Sequence, residues 1–187
     1  LGPEMARRLE TEAPGIRIAW SQVQRGHIST ELASGRLDLA IDVADLRGRD
    51  LESVELLATP YACVMSRDHP SAGKELAMDD FVALRHVVVS SRREGRSYVE
   101  EIARAAGHRI TPVMRLPHHM PALEIVRRTH LVATVPLPLA ESSGLAVLPL
   151  PPVFPHLRSV LYWRRENAED PALTWLRDLV QQLAEAG

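Results

Sequence analysis

Short apolar runs alternate with amphipathic stretches along nearly the whole chain. Leu1, Met5 and Leu9 recur at helical spacing, and Pro14–Gly15 ends the helix that they predict. Runs rich in β-branched residues, such as His86–Val89, predict strands. The predicted strands are Ile16–Trp20, Leu37–Ile41, Val54–Leu57, Tyr61–Met65, His86–Val89, Thr111–Leu116, Leu131–Val135, Leu145–Leu148 and Ser159–Trp163. The predicted helices after the first are His27–Ser34, Asp79–Leu84, Tyr98–Ala106, Pro121–Arg128, Leu137–Ser142 and Asp170–Ala184.

This order of elements predicts an α/β protein. Strands that alternate with helices favour parallel sheets with helices on their faces. Leu37–Ile41 is typical of a buried parallel strand. A stiff proline-rich segment around Pro149–Pro155 suits a connection that crosses between two lobes. The chain opens on a helix without an initiator methionine, so we expect a preceding element to be missing from it.

Composition narrows the class of protein. The chain has 187 residues, 45% of them hydrophobic and 25% charged, as in folded globular proteins. Its formal net charge of −2 argues against a free-standing nucleic-acid binder, which would be basic. The single cysteine, Cys63, excludes an internal disulfide and a cysteine-built zinc site. No apolar run reaches the ~18 residues of a membrane span.

The sequence contains no organised catalytic machinery. The G-x-S-x-G, P-loop and G-x-G-x-x-G motifs are absent, and none of the eight histidines forms H-E-x-x-H. Cys63 lies within an apolar strand and is predicted to be a buried, inert thiol. We therefore expect a protein that is not an enzyme, with no catalytic residues, no metal and no cofactor.

Two strand-to-helix turns carry the most suggestive polar residues. The first, Ser90–Ser97, combines hydroxyls and three arginines before a helix, a set that can hold an anion or be an ordinary solvated loop. The second, Leu116–Pro121, contains the adjacent His118 and His119, which are alternatively surface or hinge residues. Ligands of open α/β sheets bind beyond the carboxyl ends of strands, so both turns are candidates if their strands are parallel neighbours.

Five stretches, in this order, resemble the effector-binding domain of LysR-type transcriptional regulators. They are Leu9–Ile18, Glu31–Ile41, Leu56–Pro70, Leu131–Ala140 and Leu161–Val180. The most specific is Glu31–Ile41, which is similar to the family's L-x-x-G-x-x-D-L-A-I signature. The branch that the chain resembles most includes nodulation and aromatic-degradation regulators.

The resemblance implies a type II periplasmic-binding-protein-like fold, in which two Rossmann-like lobes are joined by two crossover strands. Lobe I would comprise residues 1–65 and 154–187, and lobe II residues 66–153. The crossings would fall near Val64–Arg67 and Pro151–His156. The family's first strand and its N-terminal winged-helix DNA-binding domain would precede Leu1.

The resemblance also implies a small organic effector, an aromatic or other carboxylate, bound between the lobes. The expected ligand-binding residues are Ser66, Ser90, Ser91, His118, His119, Met120, Val135, Pro136, Asp42, Trp163 and Arg164. Arg92, Arg93 or Arg164 would balance the charge of a carboxylate. The effector would shift the equilibrium between lobe arrangements by its different affinity for them.

A homodimer or homotetramer is expected from the same resemblance. Its interface candidates are Met5, Leu9, Ile18, Trp20 and Ile102, for which the alternative is a place in the core of the same chain. DNA would be contacted only through the missing N-terminal domain, no membrane would be involved, and the location would be cytoplasmic. The alternatives are a secreted solute-binding protein of the same fold and a small α/β enzyme that uses His118 or His119 as a base.

Overall fold

The computed structural model describes residues 2–43, 46, 48, 50–90 and 96–185, which form two compact units. Unit 1 spans residues 1–58 and 158–187, and unit 2 spans residues 59–157. The chain thus passes between the units after Ala58 and after Leu157. The boundaries differ from the expected ones at 65/66 and 153/154, chiefly because the strand Tyr61–Met65 pairs within the sheet of unit 2.

The described residues of unit 1 form a three-stranded sheet, three α-helices and a short 3₁₀ helix. In chain order its elements are α1 (Gly2–Glu12), α2 (Arg25–Ala33), β1 (Leu39–Val43), β2 (Leu51–Thr59), β8 (Leu157–Arg164), a short 3₁₀ helix (Arg165–Asn167) and α7 (Pro171–Glu185). The strand order is β1-β8-β2, and β1 is antiparallel to β8. Leu37–Ile41 was therefore wrongly predicted as a buried parallel strand, and Ile41 is 36% exposed.

Each face of this sheet has its own apolar cluster. On one face, Met5 of α1 and Leu179 of α7 pack with Leu161 of β8. On the other face, Leu32 of α2 packs with Tyr162 of β8. Because neighbouring residues of a strand point to opposite faces, Leu161 belongs to the first cluster and Tyr162 to the second.

The predicted strand Ile16–Trp20 is not a strand in this structure. Its apolar positions alternate as a strand requires, but no strand of the described unit 1 sheet, β1-β8-β2, pairs with it. A strand needs a neighbour that satisfies its backbone N–H and C=O groups. The segment is instead irregular, and the side chain of Trp20 is 67% exposed.

Unit 2 is built on a five-stranded sheet. Its elements are β3 (Tyr61–Met65), α3 (Met78–Ala83), β4 (His86–Val89), α4 (Tyr98–Ala105), β5 (Met114–Leu116), α5 (His119–Arg127), β6 (Val132–Pro136), α6 (Leu137–Ser142) and β7 (Ala146–Pro149). The strand order is β5-β4-β6-β3-β7. One face packs against α5 and α6, and the other packs against α3 and α4.

The sheet of unit 2 is mixed, whereas the sequence predicts parallel sheets. β4 is parallel to both β5 and β6, as expected, but β3 is antiparallel to β6 and β7. Only Pro60 separates β2 from β3, so no crossover helix intervenes there. Within the described ranges, no helix is both long and apolar enough to cross a bilayer.

Candidate functional site

The parallel strands β4, β5 and β6 end at one edge of the unit 2 sheet, which we call the carboxyl edge. The helices α4, α5 and α6 are the next elements in the chain after β4, β5 and β6 respectively. The N–H of Ser90, after β4, donates a 2.8 Å hydrogen bond to the carbonyl of Leu116, the last residue of β5. The two turns singled out in the sequence are therefore neighbours, as the ligand hypothesis requires.

The turn after β5 presents two histidines and a methionine at this edge. His118 is the extended N-cap residue of α5 and is exposed, and its side chain makes no capping hydrogen bond. His119 is half-buried, and this burial, with a contribution from His118, lowers the pKa of His119. A lowered pKa favours the neutral imidazole, which both donates and accepts hydrogen bonds. Met120 is 67% exposed and adds an apolar surface.

On β6 the side chain of the expected ligand residue Val135 is buried, and its role in binding stays a prediction. Val135 is fully buried among the residues that α5 and α6 cover, so its side chain belongs to the core. Pro136, the last residue of β6, is half-buried and pairs with Tyr61 of β3. Thr134 points to the opposite face from Val135, and sequence analysis did not single it out.

Ser66 lies at the other edge of the sheet. Since β3 is antiparallel to β6, Tyr61 is beside Pro136 at the carboxyl edge, and Ser66 is five residues away along the strand direction. At about 3.3 Å per residue, that separation is roughly 16 Å. The Ser66 hydroxyl accepts a hydrogen bond from the N–H of Asp68 in a local turn. Ser66 therefore does not join the other expected residues of unit 2.

Part of the first turn lies outside the described residues. Ser91, Arg92 and Arg93 fall in that part, so their expected roles stay predictions. Ser90 is described, is half-buried, and makes interactions besides its backbone bond to Leu116.

A buried polar cluster fixes the start of α4. The Ser97 hydroxyl accepts a hydrogen bond from the N–H of Glu100, and the Glu100 carboxylate accepts one from the N–H of Ser97, which completes a capping box. The guanidinium of Arg115, on β5, donates to both oxygens of Glu100 at 2.9 Å. Burial works to raise the pKa of Glu100, but the bonds from Ser97 and Arg115 together lower it. Glu100 is therefore a carboxylate at neutral pH.

Sequence reasoning missed this cluster, although one signal was present. The spacing of Ser97 and Glu100 is that of a capping box, S-x-x-E, which marks a helix start. Nothing local indicates that Arg115 reaches Glu100, because the contact joins a strand to a helix 15 residues earlier.

Two tyrosines meet at the carboxyl edge, next to the segments that lead out of unit 2. The rings of Tyr61 and Tyr98 have centroids 5.5 Å apart. The Tyr98 hydroxyl donates a hydrogen bond to the carbonyl of Pro155. Burial raises the pKa of Tyr61 to about 12, so its phenol stays protonated. One side chain of α4 thus contacts the first strand of unit 2 and its last segment.

The three expected ligand residues of unit 1 are all engaged within that unit. The carboxylate of Asp42 accepts hydrogen bonds of 2.7 and 2.8 Å from Arg25. The indole N–H of Trp163 donates to Glu52 at 3.0 Å. Arg164 donates to the carbonyl of Ala33 at 3.2 Å and forms an ion pair with Glu166.

The face of the Trp163 ring is occupied too. The guanidinium of Arg177 lies 4.7 Å from its centroid, and Arg177 is itself held by the carbonyl of Ala168. The Trp163 side chain is therefore engaged within unit 1, at its indole N–H by Glu52 and on one ring face by Arg177. The prediction that it binds a ligand has no support from these contacts.

The expected interface residues differ in their surroundings. Met5 is only 4% exposed and belongs to the unit 1 core, which is the alternative that the sequence left open. Leu9 and Ile102 are half-buried and pack against the cores of their own units. Ile18 and Trp20 are exposed. Ile18 and Trp20 thus expose the most surface of the five, and the interface roles of all five stay predictions.

Cys63 matches its expected environment. It is fully buried, and burial raises the pKa of its thiol to about 12, so it is not a nucleophile at neutral pH. Among the described ranges, no group of three or more His, Cys, Asp or Glu side chains is arranged to hold a metal ion.

The sequence matches a known family along nearly its whole length. The model of the LysR substrate binding domain matches residues 1–185. The HTH-type transcriptional activator NagR of Ralstonia sp is 29% identical over 185 residues, which are 97% of this chain and 62% of NagR. The chain thus spans less than two thirds of that relative.

Two solved structures show the same fold. The regulatory domain of MexT, a transcriptional activator in Pseudomonas aeruginosa, gives a TM-score of 0.80 at 24% identity, over 97% of this chain and 90% of that one. The BenM effector binding domain with its effector benzoate gives 0.77 at 17% identity, over 100% of this chain and 86% of that one. These likenesses confirm the predicted α/β fold of the type II periplasmic-binding-protein kind.

Proposed function

The chain belongs to the LysR substrate-binding domain family, and from that premise we propose that it is the effector-sensing domain of a bacterial transcription regulator. The main support for this proposal is the match of the family model to residues 1–185. The arrangement of the carboxyl edge supports it, because Ser90, His118 and His119 follow, and Pro136 ends, three neighbouring parallel strands. This proposal assigns no catalytic residue.

The proposed effector is a small organic carboxylate, with an aromatic acid as the first choice. Benzoate is the effector of BenM, a protein of the same fold. At the carboxyl edge, Met120 and Pro136 offer apolar contact, while His118, neutral His119 and Ser90 offer hydrogen bonds. Mostly apolar surroundings with a few placed polar groups are typical of small-molecule sites.

The proposed output is a change of conformational equilibrium. An effector that binds one arrangement of the domain better than another shifts the population toward it by that difference in affinity. In the whole protein, a cytoplasmic homodimer or homotetramer would carry this shift to N-terminal DNA-binding domains. Ile18 and Trp20, which are exposed, are the proposed contacts between subunits.

Ligand-dependent melting tests the proposal. Benzoate and its monohydroxylated derivatives are expected to raise the Tm of the protein, because a ligand that binds only the folded state stabilises it. At a concentration 100 times Kd, the gain is about 2.7 kcal/mol. His118→Ala is expected to reduce the ligand-induced shift.

The matched control is His27→Ala, at an exposed histidine of unit 1. It is expected to keep the wild-type shift. If none of these acids raises the Tm of the wild-type protein, the aromatic-carboxylate proposal fails.

A further inference from the structure

Two buried polar atoms of unit 2 make no hydrogen bond. They are the Thr134 hydroxyl on β6 and the Nη1 nitrogen of Arg115 on β5. Thr134 as a whole is only 9% exposed. A buried donor or acceptor without a partner destabilises the folded state, so such groups are rare in proteins and require an explanation.

The strand register places both residues in one row across the sheet. Val88 of β4 pairs with Arg115 of β5. On the other side of β4, Val87 pairs with Ala133 of β6, so the next residues along the two strands, Val88 and Thr134, lie side by side. Residues paired in this way point to the same face. Two strand spacings of about 4.8 Å put the two backbones roughly 10 Å apart, a gap that a long arginine side chain partly closes.

That face is the one covered by α4. Val88 packs with Val99 and Ala103 of α4, and Arg115 reaches Glu100 of the same helix. The row lies close to the carboxyl edge, since Arg115 is one residue and Thr134 two residues from the end of its strand. Both unpaired atoms are therefore near the proposed effector site.

The rest of the row does not satisfy them. Beyond Thr134 the same row continues through Cys63 to Leu148, and both are buried in an apolar cluster. Arg115 uses Nη2 for both oxygens of Glu100, which leaves the N–H groups of Nη1 without an acceptor. What the row lacks is a hydrogen-bond partner within reach of Arg115 Nη1 and of the Thr134 hydroxyl.

We propose that Thr134 and Arg115 form a polar subsite, beneath the first turn of α4, for an oxygen-bearing substituent of the effector. A carboxylate or carbonyl oxygen would accept from Arg115 Nη1, and the same substituent would hydrogen-bond the Thr134 hydroxyl. Because Glu100 balances the charge of Arg115, the subsite selects mainly by hydrogen bonding and shape. This inference rests on the proposed function and names the residues that would distinguish one small acid from another.

Thr134→Val is the decisive variant, because valine keeps the β-branched shape and removes only the hydroxyl. The ligand-free variant is expected to melt at a higher temperature than wild type, since an unpaired buried hydroxyl has been removed. Its affinity for benzoate or a monohydroxylated benzoate, measured by calorimetry, is expected to fall about tenfold, as for the loss of one charge-assisted hydrogen bond. Thr134→Ser, which restores a hydroxyl, is expected to recover most of that affinity.

The control is Thr111→Val, at an exposed threonine outside the sheet, which should change neither quantity. A lower Tm for ligand-free Thr134→Val would mean that the hydroxyl has a native partner, and would overturn the subsite. Unchanged affinity in Thr134→Val would overturn it as well, while leaving the sensor proposal intact. A wild-type protein that binds none of the acids would instead overturn the proposed effector class, and the subsite with it.

Discussion

At the scale of single residues, His86 ties the stability of unit 2 to pH. Its side chain is 1% exposed, its Nε2 lies 2.8 Å from the carbonyl of Phe81, and its ring packs edge-on against the ring of Phe81. Burial lowers the pKa of His86, although the hydrogen bond to Phe81 opposes that shift. The folded protein therefore holds this imidazole neutral at a pH where the unfolded chain already protonates it.

The expected result is a loss of stability on acidification. The contribution of His86 is full above its unfolded pKa of about 6.5 and is lost as the pH falls from there toward the folded value. Each unit by which folding lowers that pKa corresponds to about 1.4 kcal/mol. His86→Gln keeps a donor for the Phe81 carbonyl but does not titrate, so its free energy of unfolding should depend less on pH between 5 and 7.

Urea denaturation at several pH values measures this difference. The same substitution at His156, which is exposed, controls for the removal of one histidine. An equal loss of pH dependence in both variants would contradict the assignment to His86.

At the scale of elements, α4 links parts of unit 2 that are distant in sequence. The ring of its first residue, Tyr98, contacts the ring of Tyr61 at a tilt of 45°, and its hydroxyl donates a hydrogen bond to the carbonyl of Pro155. A displacement of the start of α4 would therefore alter contacts with both the first strand and the last segment of unit 2. Since the turn before α4 is a proposed effector contact, we expect Tyr98 to transmit a ligand-induced shift of that turn to β3 and to the segment around Pro155.

Tyr98→Phe is expected to loosen the last segment while leaving the ring contact with Tyr61. The lost hydrogen bond is worth about 1 kcal/mol, or roughly fivefold in the local opening equilibrium. The measurement is hydrogen exchange at the Phe154 amide, which donates to the carbonyl of Pro151 at 3.0 Å. Tyr61→Phe, which keeps the Tyr98 hydroxyl, is the control, and unchanged exchange at Phe154 in Tyr98→Phe would contradict the role of this bond.

Helices and strands were predictable where local chemistry marks their ends. Gly35 and Gly107 follow α2 and α4 with φ of +70° and +83°, the left-handed conformation that ends a helix and favours glycine. Leu137–Ser142 is a helix as predicted, and His86–Val89 is a strand as predicted. These signals lie within a few residues of the structure that they determine.

The errors came from information that is not local. Alternation at Ile16–Trp20 describes a strand but cannot supply the neighbour that the strand needs. The apolar character of β3 does not reveal its direction, so Ser66 was expected at the edge opposite to its actual position. In β6 a shift of one residue decides the face, and Thr134, which the sequence did not single out, points to the face opposite to Val135.

At the scale of the whole molecule, each unit has its own sheet and apolar clusters. All strand pairs of the five-stranded sheet lie within residues 59–157. Phe81, which is fully buried, packs on His86 and on Phe154 in the centre of one of its clusters. Unit 2 thus contains, in one continuous segment, the elements that a small domain needs.

We expect residues 59–157, produced alone, to unfold cooperatively in urea as followed by circular dichroism. Phe81→Ala should lower the free energy of unfolding of this fragment by about 3–5 kcal/mol, because it leaves a cavity in the core. Val113→Ala, at a 47% exposed position before β5, is the control and should have little effect. A fragment without a cooperative transition would show that unit 2 depends on the rest of the chain.

The central position of β8 in the sheet of unit 1 has a consequence for biosynthesis. β8 lies between β1 and β2, yet it follows all of unit 2 in the chain. A ribosome therefore releases β1 and β2 long before the strand that joins them, while unit 2 is complete by residue 157. Since domains fold as they emerge, unit 2 should be the first part of the nascent chain to become resistant to protease, and α1, α2, β1 and β2 should wait for the C-terminal segment.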